Sequence, residues 1–416
     1  MPHSPRIPER QVTDPGRRRM LGGTVGILAV GLTGFHQTAL AQAVASTGTP
    51  MPATKPLPQY AAWKNAEALI VHSSNTLETR RTAYGSGVIT PSDRLFVRNN
   101  LPPPPDSIMA DPDAWVVAIE GVKSPRSFTV AELKGMGLET TAMVLQCSGN
   151  GRGFFPSKPS GTPWTVGAAG CVMWSGVPVR ALADALGGPL DGVVYMTGTG
   201  GEAIPEGVDP KSVIVERSVP IKAMEHALLA WELNGEPVPL AHGGPLRLVV
   251  PGYSGVNNIK YVKRLAFTPK ETDAGIMASR YRLAAPGEKE NPNLPSIWEM
   301  GVKSWITAPG AKEGNVRAGR HVIEGVAFGG TQAIKSVEVS TDGGKSWQEA
   351  RLIGPDLGRF AWRQFALPVD LKAGSYVLAS RATDVDGRVQ DEVRIENVSG
   401  YNNTSWRDHA LSITVA

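Results

Sequence analysis

Short apolar runs bounded by Gly, Pro and Asp dominate the chain from residue 69 onward. The runs at 95–97, 115–119, 193–196 and 246–250 are β-branched, leucine-rich or aromatic and too short for helices, so they predict strands. Helical spacing is rarer. Met224, Leu228 and Trp231 fall on one face of a predicted helix over 221–233, which Asn234-Gly235 ends, and a shorter helix over 181–186 is closed by Gly187-Gly188. Beyond Lys303 the pattern changes to strand alternation. Ile334, Val337 and Val339 lead through Asp342-Gly343-Gly344 to Trp347, a hairpin signal, and further strands are expected at 362–367, 376–382 and 393–398. A segment rich in Pro, Gly and charge at 285–295 separates the two regimes. The pattern predicts an α+β chain, with a mixed α/β domain over 69–290 and an immunoglobulin-like β-sandwich over 291–416.

The first 68 residues belong to neither pattern. Arg17, Arg18 and Arg19 precede Met20-Leu21, a glycine-containing apolar stretch over 22–35 and the small-x-small ending Ala39-Leu40-Ala41. This reads as a twin-arginine signal peptide over 1–41, with cleavage after Ala41 and a periplasmic destination; the stretch is too short to anchor the mature chain in a membrane. That route carries proteins already folded, often around a cofactor. Residues 42–68, rich in Pro, Ala and Thr, read as an extended arm.

The formal charge of +4 includes the signal's arginines. No Lys/Arg tract remains to favour nucleic acid, so a small anion in a local basic pocket is the better use of the cations. Cys147 and Cys171, the only cysteines, allow at most one disulfide in an oxidising compartment. Cys147 stands in the run Gln146-Cys147-Ser148-Gly149-Asn150-Gly151-Arg152. Three readings stay open for it: a metal ligand, a buried structural thiol, or half of a bridge to Cys171.

Hydrolase and haem signatures are missing: there is no G-x-S-x-G elbow, no H-E-x-x-H, no C-x-x-C-H and no G-x-x-x-x-G-K-S/T loop. The histidines after residue 41 lack close metal-ligand spacing, which disfavours zinc and copper. Basic residues near glycine turns remain. Arg98 ends a predicted strand, as a pocket group or as an ordinary surface arginine. His242, Arg247 and Lys260 surround the turn at 251–255 and together suit a phosphate or carboxylate. Tyr281, between Arg280 and Arg282, is either a cation-polarised phenol or a surface residue.

In their order, these segments resemble the sulfite oxidase family of molybdenum enzymes. The Gln146–Arg152 run is similar to that family's metal-binding loop. The segments 174–178, 229–235 and 242–252 are similar to its signature segments, and 301–304 and the 342–344 hairpin to its C-terminal dimerisation domain. The resemblance implies molybdenum held by a pyranopterin dithiolene (molybdopterin) and by the Cys147 thiolate, with 69–290 as the molybdopterin-binding catalytic domain. It implies Arg98, Arg152 and Tyr281 as the catalytic pocket, and Asn100, His242, Arg247, Asn257 and Lys260 with Cys147 at the cofactor. Asn100 stands where many members carry histidine, Ile276 lies near where animal members carry tryptophan, and Asn257 replaces an arginine of some members. These departures bear on the substrate. The expected activity is oxidation of sulfite to sulfate, with electrons passed to a separate c-type cytochrome because this chain has no haem motif, by a homodimer or a heteromer with a haem subunit. A sulfane-sulfur dehydrogenase of a thiosulfate-oxidising complex, an S- or N-oxide reductase and a catalytically silent interaction protein are the alternatives.

Overall fold

Antiparallel sheets account for nearly all the regular structure in the computed structural model, which describes residues 55–310 and 316–416. The expected signal peptide and the first part of the expected arm, up to residue 54, fall outside the described residues. The rest of that arm carries two short 3-10 turns, Gln59–Ala61 and Ala66–Ala68. All described residues belong to one compact unit, Ser46–Ala416.

Three sheets build the first domain. Leu69–Ser73, Thr76–Thr79 and Val97–Arg98 make a small antiparallel sheet. A second sheet runs Glu236–Pro237, Leu228–Leu233, Ala169–Pro178, Glu139–Gln146, with Arg247–Val249 also paired to Leu228–Leu233. The third runs Arg126–Thr129, Val116–Glu120, Arg264–Thr268, Tyr195–Thr199, Glu216–Pro220, and its one parallel pair joins Arg264–Thr268 to Val116–Glu120. Helices are few; among the described residues the longest is Val179–Ala185. Its apolar face, Val179, Leu182 and Ala183, is fully buried in the core that also takes Val117, Leu248 and Leu265.

The helix expected over 221–233 is instead a 3-10 segment, Ile221–Glu225, followed by the strand Leu228–Leu233. Leu228, Leu229, Ala230 and Trp231 are all buried, because this strand has partners on both edges and apolar packing on both faces. A strand covered on both faces reads as a continuous apolar run, and such a run satisfies helical spacing by accident.

The C-terminal domain is a β-sandwich-like set of seven strands in the order Lys303–Ala308, Gly319–Phe328, Arg363–Leu371, Gln348–Ile353, Ile334–Ser340, Gly374–Asp384, Leu411–Val415. Ile306, Ile323, Val337, Phe365, Leu378 and Ile413, drawn from across that path, share one core. The Asp342 turn forms as expected, joining Ile334–Ser340 to Gln348–Ile353 with Gly343 and Gly344 at positive φ. No strand forms at 393–398. Val393 and Ile395 point outward, 65% and 74% exposed, while Arg394 turns inward to bond both carboxylate oxygens of Asp408 at 2.8 and 2.9 Å. Asn397 bonds the backbone of Tyr401 in both directions, at 2.9 Å each, so side chains rather than a ladder satisfy this segment.

Candidate active site

The strand Glu139–Gln146 leads directly into Cys147, delivering the thiol to the edge of a cavity partly open to solvent. The turn that follows is fixed from both sides. Cys147 N donates to Ala168 O at 2.9 Å, Asn150 Nδ2 donates to Gln146 Oε1 at 3.0 Å, and Ala168 N donates to Asn150 Oδ1 at 3.1 Å. From the C-terminal domain, Asn402 N donates to Ser148 O and Asn403 Nδ2 to Gly151 O, both at 3.0 Å. Gly255 closes the opposite side: a Cβ there would sit 2.9 Å from Gln146 O, so the close approach needs glycine.

Both thiols are free, and they occupy different cores. Cys147 packs with Phe96 and Trp164, whereas Cys171 packs with Trp305 and Trp362. Cys171 lies opposite Val144 in the strand pair, on the far side from the cavity, and burial pushes its thiol up to about 12. The disulfide reading is therefore corrected. Cys147 is the cavity's thiol and Cys171 is a core residue.

Seven of the nine expected site residues line this one cavity: Arg98, Asn100, Cys147, His242, Arg247, Lys260 and Tyr281, together with Ile276. Arg98 reaches it from the end of Val97–Arg98. Burial works against its charge, but the Tyr281 hydroxyl, Cys147 and Tyr401 outweigh burial, so its pKa is raised. Lys260 Nζ donates to Asn99 Oδ1 at 2.5 Å and Ala241 O at 2.6 Å. Arg247 Nη1 donates to His242 O at 2.8 Å. Asn100 Nδ2 donates to Val213 O at 3.1 Å, so its side chain is partly committed to the wall.

Arg152 and Asn257 sit one layer behind the wall. Arg152 donates to Ser399 O at 2.7 Å and Thr162 O at 3.1 Å. Its side chain fills a slot made by glycines, where a Cβ at Gly149, Gly161 or Gly400 would come within 2.5, 2.9 or 2.7 Å of it. The glycines of the Cys147 run and the loops around it thus make room for an arginine. Asn257 accepts from Arg217 Nε at 3.2 Å and donates to Ser254 O, Ile297 O and Trp298 O at 3.1–3.3 Å, which makes it a cross-brace.

The deep end crowds basic groups, and burial and their mutual repulsion work against their charged forms. Burial, then Lys64, Lys260 and Arg247, holds His242 well below its usual value, so the imidazole is neutral. Burial chiefly, with Arg247 next, pulls Lys260 far down, and burial brings Lys64 to about 7 and Arg247 to about 10. Glu202 is the one carboxyl on the lining, and burial raises it to about 7 despite Lys260. Five buried polar atoms on this lining lack a protein partner: Asn99 Nδ2, Ser148 Oγ, Glu202 Oε2, His242 Nε2 and Arg247 Nε. Such orphans cost free energy unless a ligand satisfies them. A polar, anionic heterocycle with a phosphate fits the nitrogen and hydroxyl donors among them, and the free thiol suits a soft or high-valent metal. Among the described residues no three His, Cys, Asp or Glu side chains are grouped to hold a metal by themselves.

Sequence reasoning missed Lys64, Glu202, Asn258 and the pair of aromatic and basic groups behind Tyr281, namely Tyr401 and Arg217. Asn258, beside the expected Asn257, lines the cavity; its Oδ1 accepts from Val250 N at 2.8 Å. Its place beside the turn at 251–255 was the available signal. Tyr401 and Lys64 carry no motif.

Residues 103–276 match the oxidoreductase molybdopterin binding domain family, and residues 294–415 match the Mo-co oxidoreductase dimerisation domain family. The chain is 31% identical over 338 residues to the sulfite oxidase of Gallus gallus, covering 76% of this chain and 72% of that protein. It is also 31% identical over 350 residues to the mitochondrial sulfite oxidase of Homo sapiens, where the match covers 79% of this chain and 62% of the relative. Among solved structures, the sulfane dehydrogenase SoxCD of Paracoccus pantotrophus superimposes with a TM-score of 0.68 at 26% identity, over 91% of this chain and 96% of that one.

Proposed function

Because the chain belongs to the sulfite oxidase family of molybdopterin oxidoreductases, we propose that it is a periplasmic sulfite dehydrogenase, exported by the twin-arginine route and passing electrons to a separate c-type cytochrome. The observation that carries the reading is the juxtaposition of the free Cys147 thiol with a buried basic cavity whose donors lack partners. Cys147 would ligate the metal. His242, Arg247 and Lys260 would hold the pterin and its phosphate, with Asn99, Ser148 and Asn258 completing the polar wall. When bound, the molybdenum cofactor supplies two-electron oxygen-atom transfer, converting sulfite and water to sulfate, two protons and two electrons.

The chain's own residues handle charge and protons. Arg98 attracts the oxyanion and stays protonated throughout, since Tyr281 and Cys147 reinforce its charge. The Tyr281 hydroxyl, on the same wall as Arg98, orients the same anion and can pass a proton outward. Arg152 acts one step removed, packed with its guanidinium 5.3 Å from the centre of the Tyr401 ring, and so positions rather than touches the substrate. A dimer through residues 291–416, or a heteromer with a haem subunit, supplies the assembly.

A second reading keeps the cofactor and changes the substrate to sulfane sulfur, favoured by the extent of the SoxCD superposition and by the apolar Ile276 on the lining. Metal analysis of protein purified from its native periplasm, combined with reduction of cytochrome c by sulfite or by a protein-bound sulfane, separates the two. Bound molybdenum with sulfite turnover supports the first reading. Molybdenum with turnover of sulfane sulfur alone replaces it, and protein without molybdenum overturns both.

A further inference from the structure

Lys303 is the innermost lysine that the proposed mechanism leaves unused. It opens the C-terminal domain's first strand, Lys303–Ala308, yet it is 1% exposed and its ammonium points into the first domain, donating to Asn150 O at 3.2 Å. That carbonyl belongs to the Cys147 turn. Among the described residues Lys303 makes no ion pair. The carboxylate nearest to serving it, Asp408, already takes two bonds from Arg394 at 2.8 and 2.9 Å and one from Asn403 at 2.8 Å. His409, also buried and cationic only when protonated, is held neutral by burial and then by Lys303 itself.

Resting on the reading of Cys147 as a molybdenum ligand, we propose that Lys303 is a positioning residue that places a buried positive charge behind the Cys147 turn and raises the reduction potential of the centre. Burying an ammonium with one neutral acceptor is costly, and methionine or leucine would fill the space without that cost. A charge of this kind stabilises whichever state of the centre is more negative, which is the reduced one. In a low-dielectric interior that influence extends well beyond one hydrogen bond. The coupling runs in both directions. Burial pulls Lys303 down to about 7, while Asp408 and Cys147 are the charges that oppose it. A bound, negatively charged centre adds to that opposition and keeps the ammonium protonated.

The hydrogen bond alone would give a different outcome from the charge, and two variants separate them. Lys303→Gln keeps a donor and loses the charge; Lys303→Met loses both. Molybdenum content is measured first, in the unaltered enzyme and in each variant, so that metal-free unaltered protein indicts the molybdenum reading and not this inference. Potentiometric titration followed by electron paramagnetic resonance then gives the midpoint of the loaded centre without any turnover. We expect Lys303→Gln to load metal, keep the resonance line shape and shift the one-electron equilibrium toward the oxidised form by at least tenfold, about 59 mV downward. Lys303→Met should shift it as far and also broaden the line shape as the turn loosens. If Lys303→Gln titrates with the same midpoint as the unaltered enzyme, the residue is a structural hydrogen-bond donor and the inference falls, whether or not Lys303→Met folds.

Discussion

Tyr281, just beyond the first matched domain, stacks face to face on Tyr401 of the second, with ring centroids 5.0 Å apart and planes 17° from parallel. Guanidinium groups cap the pair, Arg217 at 5.7 Å from the Tyr281 ring centroid and Arg152 at 5.3 Å from that of Tyr401. Tyr281 adopts φ 55°, a left-handed conformation that costs a bulky residue about 1–3 kcal/mol. The stack, worth about 0.5–1.5 kcal/mol, and the buried Arg282 next to it offset that cost. Tyr401→Leu should therefore release Tyr281 and lower kcat/KM about tenfold, while Tyr401→Phe, which keeps the ring, should stay within about twofold. Steady-state kinetics on both variants checks this.

The two thiols should answer substitution oppositely. Cys147→Ser changes little volume in a turn held by backbone bonds, so the protein should fold with an unaltered thermal midpoint, hold molybdenum more weakly and lose turnover. Cys171→Ala removes a sulfur from the core around Trp305 and Trp362, costs about 1–2 kcal/mol, and leaves metal content and turnover intact. Metal analysis paired with thermal unfolding reads both. Loss of metal in Cys171→Ala with the fold preserved would reverse the assignment.

Arg98 lines the cavity, and Tyr281 and Cys147 on the same wall reinforce its charge. Arg98→Met should lower kcat/KM for an oxyanion about 10²–10³-fold, mostly through KM if the arginine binds substrate and transition state alike. Arg98→Lys should recover part of that loss, since a point charge replaces the fork. Arg152→Met, by contrast, should lower kcat with a smaller change in KM, because that side chain bonds Ser399 and Thr162 carbonyls.

Residue type and order were enough to pick out the cavity's cations and thiol, because Cys147, Arg98, His242, Arg247 and Lys260 each stand in or beside a recognisable segment. What lay hidden was depth. Arg152 and Asn257 carry the right chemistry for the wall, but packing turns each into a brace: Arg152 into its glycine slot and Asn257 onto Arg217. Tyr401 reaches Tyr281 only because the C-terminal domain folds back over the Cys147 turn, a contact of long sequence separation that no local pattern encodes. The helix expected at 221–233 failed for the related reason that burial on two faces erases strand alternation.

The buried lysines give the cofactor-free protein a pH signature. Lys64 donates to Ser92 O at 2.6 Å and Leu95 O at 2.8 Å, and burial lowers it from 10.5 to about 7 in the fold, with Asp93 opposing. A lowered folded value means that between about 7 and 10.5 the unfolded chain binds more protons than the folded one. Stability from this group is complete above the upper value and is lost as pH falls through the lower, a difference on the order of 3–5 kcal/mol. Lys303, also brought to about 7, acts in the same direction. Above pH 10 the buried phenols oppose the trend, since burial raises Tyr60 to about 12 and its stabilising share is lost on ionisation. Thermal midpoints of the cofactor-free protein should thus rise between about pH 7 and 9, and Lys64→Met should rise less steeply over that window. A phosphate-bearing cofactor in the cavity would raise the folded values of the lysines near it, so the loaded enzyme should show a flatter profile than the cofactor-free one. Equal slopes in the two forms would place the anionic ligand away from Lys64 and Lys260.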